Sequence, residues 1–341
     1  MPVPAAESLA PHDLLLKTAV ASLCHTDSMV LEGALGSALP LTGSHEGAGV
    51  VAARGPAVSD AQFPLGARVL AGIPRGRCQE CEECLGADPQ YCQGRRGAVG
   101  ITVDGAFAEY LCVDARDASL IPDKLDFVSA APLACAGITV WRAILKAGVE
   151  KGQWLGIVGS GGGLGHLGVQ FARKNGIKVV GIDARDEGIE LSTKVGADLV
   201  LDARNDQKDV VKGVLKVTDG KGVTASIVLS EARSAPGLAC AITMKHGRVV
   251  QIAQPPEVVV PFRELIFRDI TVVGSLTGSQ KQTQEMLDFV AENDIEVETN
   301  VYYGLDKVPQ MFEDSHSGKM KGKSVVVVDE SLQSSLSKGV L

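Results

Sequence analysis

Long apolar segments are missing from this chain. No run of about 18 apolar residues occurs, so the sequence predicts no membrane-spanning helix. Residues 1–13 lack a basic patch followed by an apolar core, which is the pattern of a secretory signal. Lysine and arginine form no cluster and the net charge is −8, which argues against nucleic acid or an anionic membrane as the main partner. We therefore expect a cytoplasmic protein.

The cysteine content gives the first positive signal. The 341 residues are enough for two domains, and 45% hydrophobic and 22% charged residues are ordinary for a globular protein. Eight cysteines occur without a recognisable secretory signal. In a reducing compartment such cysteines serve as thiols or metal ligands and not as disulfides.

Four of these cysteines lie close together in C-x2-C-x2-C-x7-C spacing, namely Cys78, Cys81, Cys84 and Cys92. That spacing can close a tetrahedral thiolate site on one zinc ion. The surrounding lobe, residues 76–95, is too polar to bury an apolar core, so the metal would supply its folding energy. A redox pair at Cys81 and Cys84 would leave the other two cysteines unexplained. An iron–sulfur cluster is a further alternative, and zinc is preferred because nothing nearby needs an electron relay.

Two textures divide the chain and predict an α/β protein of two domains. Residues 1–135 are rich in Gly, Pro and short β-like runs, which is typical of a small irregular β domain. Between residues 136 and 277, short apolar strands alternate with helices, which predicts a doubly wound parallel sheet. We expect residues 278–341 to return to the first domain, with a helix, an extended stretch at 296–303, a last apolar strand and a frayed tail from residue 330. The predicted strands of the parallel sheet are residues 154–158, 178–182, 199–201, 226–229, 248–252 and 270–273.

A glycine-rich loop follows the first predicted strand of the parallel sheet. It reads Gly-Ser-Gly-Gly-Gly-Leu-Gly and leads directly into a helical pattern. Glycines let the backbone approach a pyrophosphate, and the helix N-terminus supplies N–H groups, so the loop predicts dinucleotide binding. The predicted cofactor contacts in it are Gly159, Gly162, Gly163, Leu164 and Gly165.

An acidic residue follows at the end of the next predicted strand. Asp183 lies 18 residues after Gly165. A carboxylate there can bond both ribose hydroxyls and would repel a 2′-phosphate, so NAD is favoured over NADP. Arg185 lies nearby and weakens this preference, because an arginine can receive a 2′-phosphate.

Cys24, His45 and Cys135 are far apart in sequence, and singly each is best interpreted as a core residue. The motifs around them are more informative. Cys24 begins Cys-His-Thr-Asp, His45 lies in Gly-Ser-His-Glu-Gly-Ala-Gly, and Cys135 lies in Leu-Ala-Cys-Ala-Gly just before the second domain. With these motifs the chain resembles, over nearly its whole length, the zinc-dependent medium-chain alcohol dehydrogenases, and among them the yeast and fungal branch.

The resemblance implies a GroES-like catalytic domain, a Rossmann domain and a homodimer or homotetramer. It implies that Cys24, His45 and Cys135 hold a catalytic zinc with one open position, and that Glu46 is a nearby carboxylate that can exchange onto the metal. The zinc would act as a Lewis acid on the oxygen of an alcohol or carbonyl substrate while hydride passes to or from NAD(H). The strand near residues 270–276 would pair across the subunit interface.

The same resemblance assigns roles to four more side chains. Thr26 would hydrogen-bond the substrate oxygen, and Asp27 would orient the zinc-bound imidazole. His25 would approach the cofactor pyrophosphate. Lys323 falls where the family often carries a phosphate-binding arginine, and a lysine there makes a weaker, single contact.

Three departures from the family pattern bear on activity. The chain reaches Cys24 after fewer residues than is usual, so we expect either a missing edge hairpin or a short gene model. Met29 occupies the position of the relay histidine, so we expect that it packs against the cofactor and that the proton leaves through water; the alternative is that alcohol oxidation is impaired and the enzyme works mainly as a reductase. Leu35 and Ile73 stand where yeast-type enzymes narrow the substrate pocket with tryptophans, which predicts an apolar substrate bulkier than ethanol.

Two other functions stay open on sequence alone. A zinc-containing enzyme of this fold could reduce a conjugated C=C or iminium bond in a biosynthetic pathway, since such acceptors need no alcohol proton relay. The second alternative is a weakly active NAD-binding regulatory protein. The presence of Cys24, His45 and Cys135 together argues against the second alternative.

Overall fold

The structure is a computed structural model that describes residues 3–333 of the chain. Two compact units divide the chain. The first comprises the chain up to Ile138, Gly278–Asp294 and the chain from Thr299, and the second comprises Thr139–Thr277 and Ile295–Glu298. The division falls close to the predicted one after Cys135. Residues 295–298, predicted as part of the first domain, group with the second unit.

Strands and helices are numbered in chain order. The strands are β1 (Asp13–Ser22), β2 (Glu46–Arg54), β3 (Arg68–Leu70), β4 (Pro74–Arg75), β5 (Gly97–Ala98), β6 (Tyr110–Asp114), β7 (Ser119–Leu120), β8 (Trp154–Val158), β9 (Lys178–Asp183), β10 (Leu199–Asp202), β11 (Val223–Val228), β12 (Thr243–Gln251), β13 (Thr271–Gly274), β14 (Thr299–Tyr303) and β15 (Lys323–Val327). The helices are α1 (His25–Leu31), α2 (Glu82–Leu85), α3 (Phe127–Ala130), α4 (Ala136–Ala147), α5 (Gly165–Lys174), α6 (Asp186–Lys194), α7 (Gln207–Val217), α8 (Ala235–Ile242), α9 (Phe262–Arg268), α10 (Gln280–Glu292), α11 (Val308–His316) and α12 (Glu330–Gln333). No single helix of the described residues is long and apolar enough to cross a membrane, although the bent pair Phe127–Ala134 and Ala136–Ala147 passes that test by length and composition.

β1 is the centre of the main sheet in the first unit. It pairs antiparallel with β2, β6 and β15, and the sheet order is β14-β15-β1-β2-β3-β7 with β6 also on β1. β1 is buried along nearly all of its length, and its apolar residues form two short runs, 14–16 and 19–21, and do not alternate strictly with polar residues. The pairing of Ser22 with Glu46 places the end of β1 beside the start of β2. The core against this sheet includes Leu14, Leu16, Leu111, Val113 and Val326.

The second unit contains a six-stranded parallel sheet in the order β10-β9-β8-β11-β12-β13. The chain runs outward from β8 to β9 and β10, then returns to β11 on the other side of β8. Such a reversal opens a crevice at the carboxyl ends of β8 and β11, and doubly wound sheets bind their ligands in crevices of this kind. The core around these strands is aliphatic, as strands covered on both faces require, and includes Val180, Ile182, Val228 and Val249.

The predicted fold class is confirmed, since the six predicted strands correspond to β8–β13. β12 begins earlier than predicted, because Thr243 already pairs with Val223 before a shift in register. The extended stretch at 296–303 is a strand only as β14, from Thr299. The polar tail forms α12 as far as Gln333, and residues 334–341 lie outside the described residues.

Candidate functional site

Four predicted side chains meet at one end of the β1–β2 pair. The ligand atoms of Cys24, His45, Glu46 and Cys135 all lie within 4.8 Å of one another. Cys24 precedes α1 directly after β1, His45 and Glu46 lie at the start of β2, and Cys135 precedes α4. We call this group the catalytic cluster. Antiparallel pairing of β1 with β2 brings the first two segments together, which sequence spacing alone does not reveal.

Asp27 fixes the two loops that carry the catalytic cluster. Its Oδ2 accepts a hydrogen bond from the Cys24 N–H at 2.8 Å, and its Oδ1 accepts one from the Ser44 N–H at 2.8 Å. Ser44 has a left-handed backbone (φ 69°), and its hydroxyl donates to the Ser22 carbonyl at 2.9 Å. The Asp27 carboxylate therefore holds the backbone of both loops, at Cys24 and at Ser44, the residue before His45.

The predicted contact between Asp27 and His45 is longer than a hydrogen bond. The Nδ1 atom of His45 lies 3.9 Å from Asp27 Oδ1, and among the described residues this buried nitrogen has no hydrogen-bond partner. One ring nitrogen of buried His45 lies within 4.8 Å of the sulfur atoms of Cys24 and Cys135, and an imidazole nitrogen beside two thiols is a donor set that zinc prefers. The residues of the catalytic cluster therefore fit a zinc ion.

The electrostatics of the catalytic cluster favour a cation as well. A hydrogen bond with Cys135 holds the pKa of the Cys24 thiol well below its usual range, and it raises the pKa of Cys135. Burial alone would lower the pKa of His45, but the neighbouring Cys24 thiolate raises it to about 9. Without a metal these groups must share protons, and a divalent cation would replace those protons.

Glu46 has an ion-pair partner that sequence analysis did not foresee. Its Oε2 lies 2.6 Å from the Lys323 ammonium, and its Oε1 accepts from the Ala136 N–H at 3.0 Å. The ammonium also donates to the Leu23 carbonyl at 2.7 Å. Burial raises the pKa of Glu46 to about 7, against the effect of Lys323. Lys323 is thus a buried partner of Glu46, and its contact with a cofactor phosphate stays a prediction.

The remaining predicted residues of the first unit lie on or near α1. Thr26 Oγ1 is 3.8 Å from the Cys24 sulfur, so its hydroxyl lies beside the catalytic cluster. His25 is exposed in the first turn of α1, and Met29 is half-buried in the same helix. Leu35 is exposed in the turn after α1, and Ile73 is half-buried just before β4. Their roles toward cofactor and substrate stay predictions.

The four cysteines of the polar lobe form a second cluster. The sulfur atoms of Cys78, Cys81, Cys84 and Cys92 lie within 4.8 Å of one another. Cys92 is buried and the other three are half-buried, with no disulfide among them. Four thiols at these separations fit one tetrahedral metal ion.

Ion pairs connect this lobe and the residues that flank it to the rest of the first unit. Arg75 contacts Asp13 at 2.9 Å, Arg96 contacts the same carboxylate at 3.4 Å, and Arg77 contacts Asp117 at 2.7 Å. Both aspartates are buried. Sequence analysis missed these pairs, although the arginines flanking the cysteine run were a visible signal.

The glycine-rich loop connects β8 to α5 at the reversal of the parallel sheet. Gly159 has a left-handed backbone (φ 89°). A side chain at Gly161 would come within 1.9 Å of the Gly188 carbonyl oxygen, and one at Gly165 within 2.1 Å of the Gly159 carbonyl oxygen. Backbone contact inside the protein therefore demands glycine at these positions. Gly161 and Gly188 were not among the predicted residues, because their reason is a contact between distant segments.

Asp183 ends β9 and is tied to the glycine-rich loop. Its Oδ2 accepts from the Gly161 N–H at 3.0 Å, and its Oδ1 accepts from the Ala184 N–H at 2.9 Å. The Arg185 side chain approaches the same carboxylate at 3.4 Å. The Arg185 backbone N–H also donates to Oδ1 at 3.2 Å, so ribose hydroxyls would share the acceptor positions of this carboxylate with donors of the protein itself.

Comparisons with known proteins agree with this description. Residues 10–123 match the alcohol dehydrogenase GroES-like domain, and residues 163–292 match the zinc-binding dehydrogenase domain. The chain is 34% identical to an alcohol dehydrogenase of Geobacillus stearothermophilus, covering 93% of this chain and 92% of the relative. It is 36% identical to alcohol dehydrogenase 1 of Emericella nidulans, covering 94% and 91%. The solved alcohol dehydrogenase of the archaeon Aeropyrum pernix superposes with a TM-score of 0.86 at 27% identity, covering 96% and 95%.

A GroES-like unit, a Rossmann-type unit and two zinc-compatible clusters define a dinucleotide-dependent metalloenzyme. The chain belongs to the zinc-dependent medium-chain alcohol dehydrogenase family. It is an oxidoreductase of alcohols and carbonyl compounds that uses zinc and a nicotinamide dinucleotide. These relatives give no support to the alternative of a weakly active NAD-binding regulatory protein.

Proposed function

We propose that this protein transfers hydride between NAD(H) and an alcohol or carbonyl compound at a zinc held by Cys24, His45 and Cys135. The observation that carries the proposal is the convergence of these ligand atoms within 4.8 Å, with the Thr26 hydroxyl beside them. The second cluster, in the polar lobe, would hold a structural zinc. Two thiolates and one imidazole with an open position are the ligand set of a catalytic zinc, whereas four thiolates are that of a structural one.

Each side chain of the site has a defined task in this proposal. The zinc, when bound, supplies a Lewis acid for the substrate oxygen. Thr26 would hold that oxygen by a hydrogen bond, and Asp27 keeps Cys24 and Ser44 in place through their backbone N–H groups. Lys323 compensates the charge of buried Glu46, so that the carboxylate stays beside the metal.

We further propose that the substrate is apolar and bulkier than ethanol. The support is the aliphatic character of Leu35 and Ile73 at positions that yeast-type enzymes fill with tryptophan. In a panel of primary alcohols and aldehydes, kcat/KM is expected to rise from ethanol to longer or branched chains. A conjugated enal in the panel is expected to yield the unsaturated alcohol. If ethanol were the best substrate, the proposal of a bulkier substrate would be wrong. If the C=C bond of the enal were reduced, the proposal of carbonyl reduction would be wrong.

NAD is the preferred dinucleotide in this proposal because of Asp183. We expect Asp183→Asn to lower the ratio of NAD to NADP specificity by roughly 10- to 100-fold, since hydrogen bonds to a charged group contribute about 1.5–3 kcal/mol. Steady-state kinetics with both cofactors measures that ratio. Asp198→Asn is the matched control, because Asp198 also accepts a backbone N–H, that of Val179 at 2.8 Å, in the same unit. An unchanged ratio in Asp183→Asn would rule out the ribose contact.

We also propose that the protein is a homodimer or homotetramer in which β13 takes part in the interface. β13 is an edge strand of the parallel sheet, and α9 carries an apolar patch that is about two-thirds exposed, formed by Phe262, Ile266 and Phe267. Paired edges and apolar patches are typical of interfaces between copies. Ile266→Glu is expected to reduce the sedimentation mass to that of the monomer, whereas Leu145→Glu, an exposed position on α4, should not. A monomeric parent protein would contradict the proposal.

A further inference from the structure

His166 is a fully buried histidine in the first turn of α5, one residue after the glycine-rich loop. Its Nδ1 lies 3.1 Å from the Gly162 carbonyl oxygen, and its Nε2 lies 3.1 Å from the backbone N of Glu298. A carbonyl only accepts and a backbone N–H only donates. His166 is therefore neutral, with the proton on Nδ1 donated to Gly162 and the Nε2 lone pair accepting from Glu298.

The partner on the far side is the short segment Ile295–Glu298, which belongs to the second unit. Gln170, one turn after His166, bonds the Glu296 backbone twice, donating to its carbonyl at 2.8 Å and accepting from its N–H at 2.9 Å. Lys194 at the end of α6 reaches the carboxylates of Glu296 and Glu298 at 2.8 and 2.6 Å. The segment is thus held on α5, and its Glu298 N–H holds the His166 ring in one orientation.

Two bonds from His166 set the direction of one peptide plane in the glycine-rich loop, because the backbone N–H and the ring Nδ1 of His166 both donate to the Gly162 carbonyl at 3.1 Å. A peptide unit is planar and trans, so its C=O and N–H point in opposite directions. The Gly162 carbonyl points back at the His166 ring, and the N–H of Gly163, in the same peptide unit, is therefore aimed away from it. Among the described residues no backbone carbonyl is bonded to the N–H of Gly163 or Leu164. Such N–H groups before a helix are donors for phosphate oxygens.

We infer that His166 is a positioning residue for the dinucleotide, which aims the Gly163 N–H at the pyrophosphate by holding the Gly162 carbonyl. This inference rests on the proposed function of the loop in binding the cofactor. Glycines at 162 and 163 leave this peptide plane free to rotate, because they have no side chain to restrict it. A buried donor on the carbonyl removes that freedom before the ligand arrives, which lowers the cost of binding.

Two substitutions separate the two bonds of His166. In His166→Asn the amide N–H can take the place of Nδ1 and bond Gly162, but nothing reaches Glu298. In His166→Gln the longer side chain reaches the Nε2 position and bonds Glu298, but leaves Gly162 with the backbone N–H of residue 166 as its one remaining donor among the described residues. Fluorescence titration of the zinc-loaded protein with NADH measures affinity, and thermal unfolding measures stability. We expect His166→Asn to keep the NADH Kd within about twofold, and His166→Gln to raise it roughly tenfold, the effect of one lost hydrogen bond.

Gln170→Met is the matched control, since it removes two bonds to the same segment without touching Gly162. It is expected to lower the unfolding temperature and to leave the NADH Kd unchanged. Steady-state kinetics of His166→Gln should show a higher KM for NADH with nearly unchanged kcat. Equal loss of affinity in His166→Gln and Gln170→Met, or in both His166 variants, would overturn the inference, and so would parental affinity in His166→Gln. Failure of the parent protein to bind NADH would instead overturn the proposed function itself.

Discussion

Replacing Cys135 with alanine is expected to lower kcat/KM by about 1,000-fold or more. Metal Lewis acidity contributes several kcal/mol to the barrier, and each 1.36 kcal/mol is about tenfold in rate. With one thiolate lost from the catalytic cluster, zinc content should fall from about two ions per chain to about one, because structural and catalytic sites bind one ion each. Turnover with a good aldehyde substrate and metal analysis of the purified protein measure the two effects.

Cys112→Ser is the control for this experiment. Cys112 lies outside both clusters, and its sulfur is 3.0 Å from an Arg75 nitrogen, to which a serine hydroxyl can also bond. Zinc content and turnover should therefore match those of the parent protein. If Cys135→Ala retained both its second zinc and its activity, the assignment of the catalytic cluster would be wrong.

Replacing Cys92 with alanine is expected to act on stability and not on the chemical step. The polar lobe has little apolar material to bury, since no residue of α2 is buried and Leu85 is 75% exposed. The proposed structural zinc would supply folding energy to this lobe, since such a metal contributes many kcal/mol in small domains. A loss of about 4 kcal/mol corresponds to a fall in Tm of about 10 °C for a unit of this size. Calorimetry in the presence and absence of a chelator measures it.

Leu85→Ser provides the matched substitution within the same lobe. The side chain is exposed, so the change in the free energy of unfolding should stay within about 0.5 kcal/mol. At a temperature well below the transition, Cys92→Ala should keep most of the parental kcat. A Cys92→Ala protein with parental Tm and two zinc ions would show that Cys92 is not a ligand of a structural zinc.

Much of the fold was predictable because local pattern and global structure agree. The apolar run Trp154–Val158, the glycines after it and the helix that follows each indicate the same β–α unit, and the structure contains it as β8 and α5. The spacing of Cys78, Cys81, Cys84 and Cys92 is itself local, so those sulfurs could be grouped from sequence. Cys24, His45 and Cys135 could be grouped only through their resemblance to a family, since strand pairing brings them together.

The contacts that were missed join segments distant in sequence. No pattern along the chain pairs Lys323 with Glu46, or the Gly161 backbone with that of Gly188. Buried polar groups need partners, but that requirement does not say which residue supplies them. The same holds for His166, whose two partners are a carbonyl four residues back and an N–H more than a hundred residues ahead.

The return of Ile295–Glu298 to the second unit has a consequence for dissecting the protein. A fragment limited to Thr139–Thr277 would lack the strip of backbone that bonds His166 and Gln170. Each stranded polar group would add about 1–3 kcal/mol of instability to that fragment. The second unit thus consists of two separate segments of the chain and cannot be isolated as one continuous fragment. Chimeras that exchange this unit between relatives must therefore include both pieces of chain. Otherwise the parallel sheet is transferred without the segment that bonds His166 and Gln170.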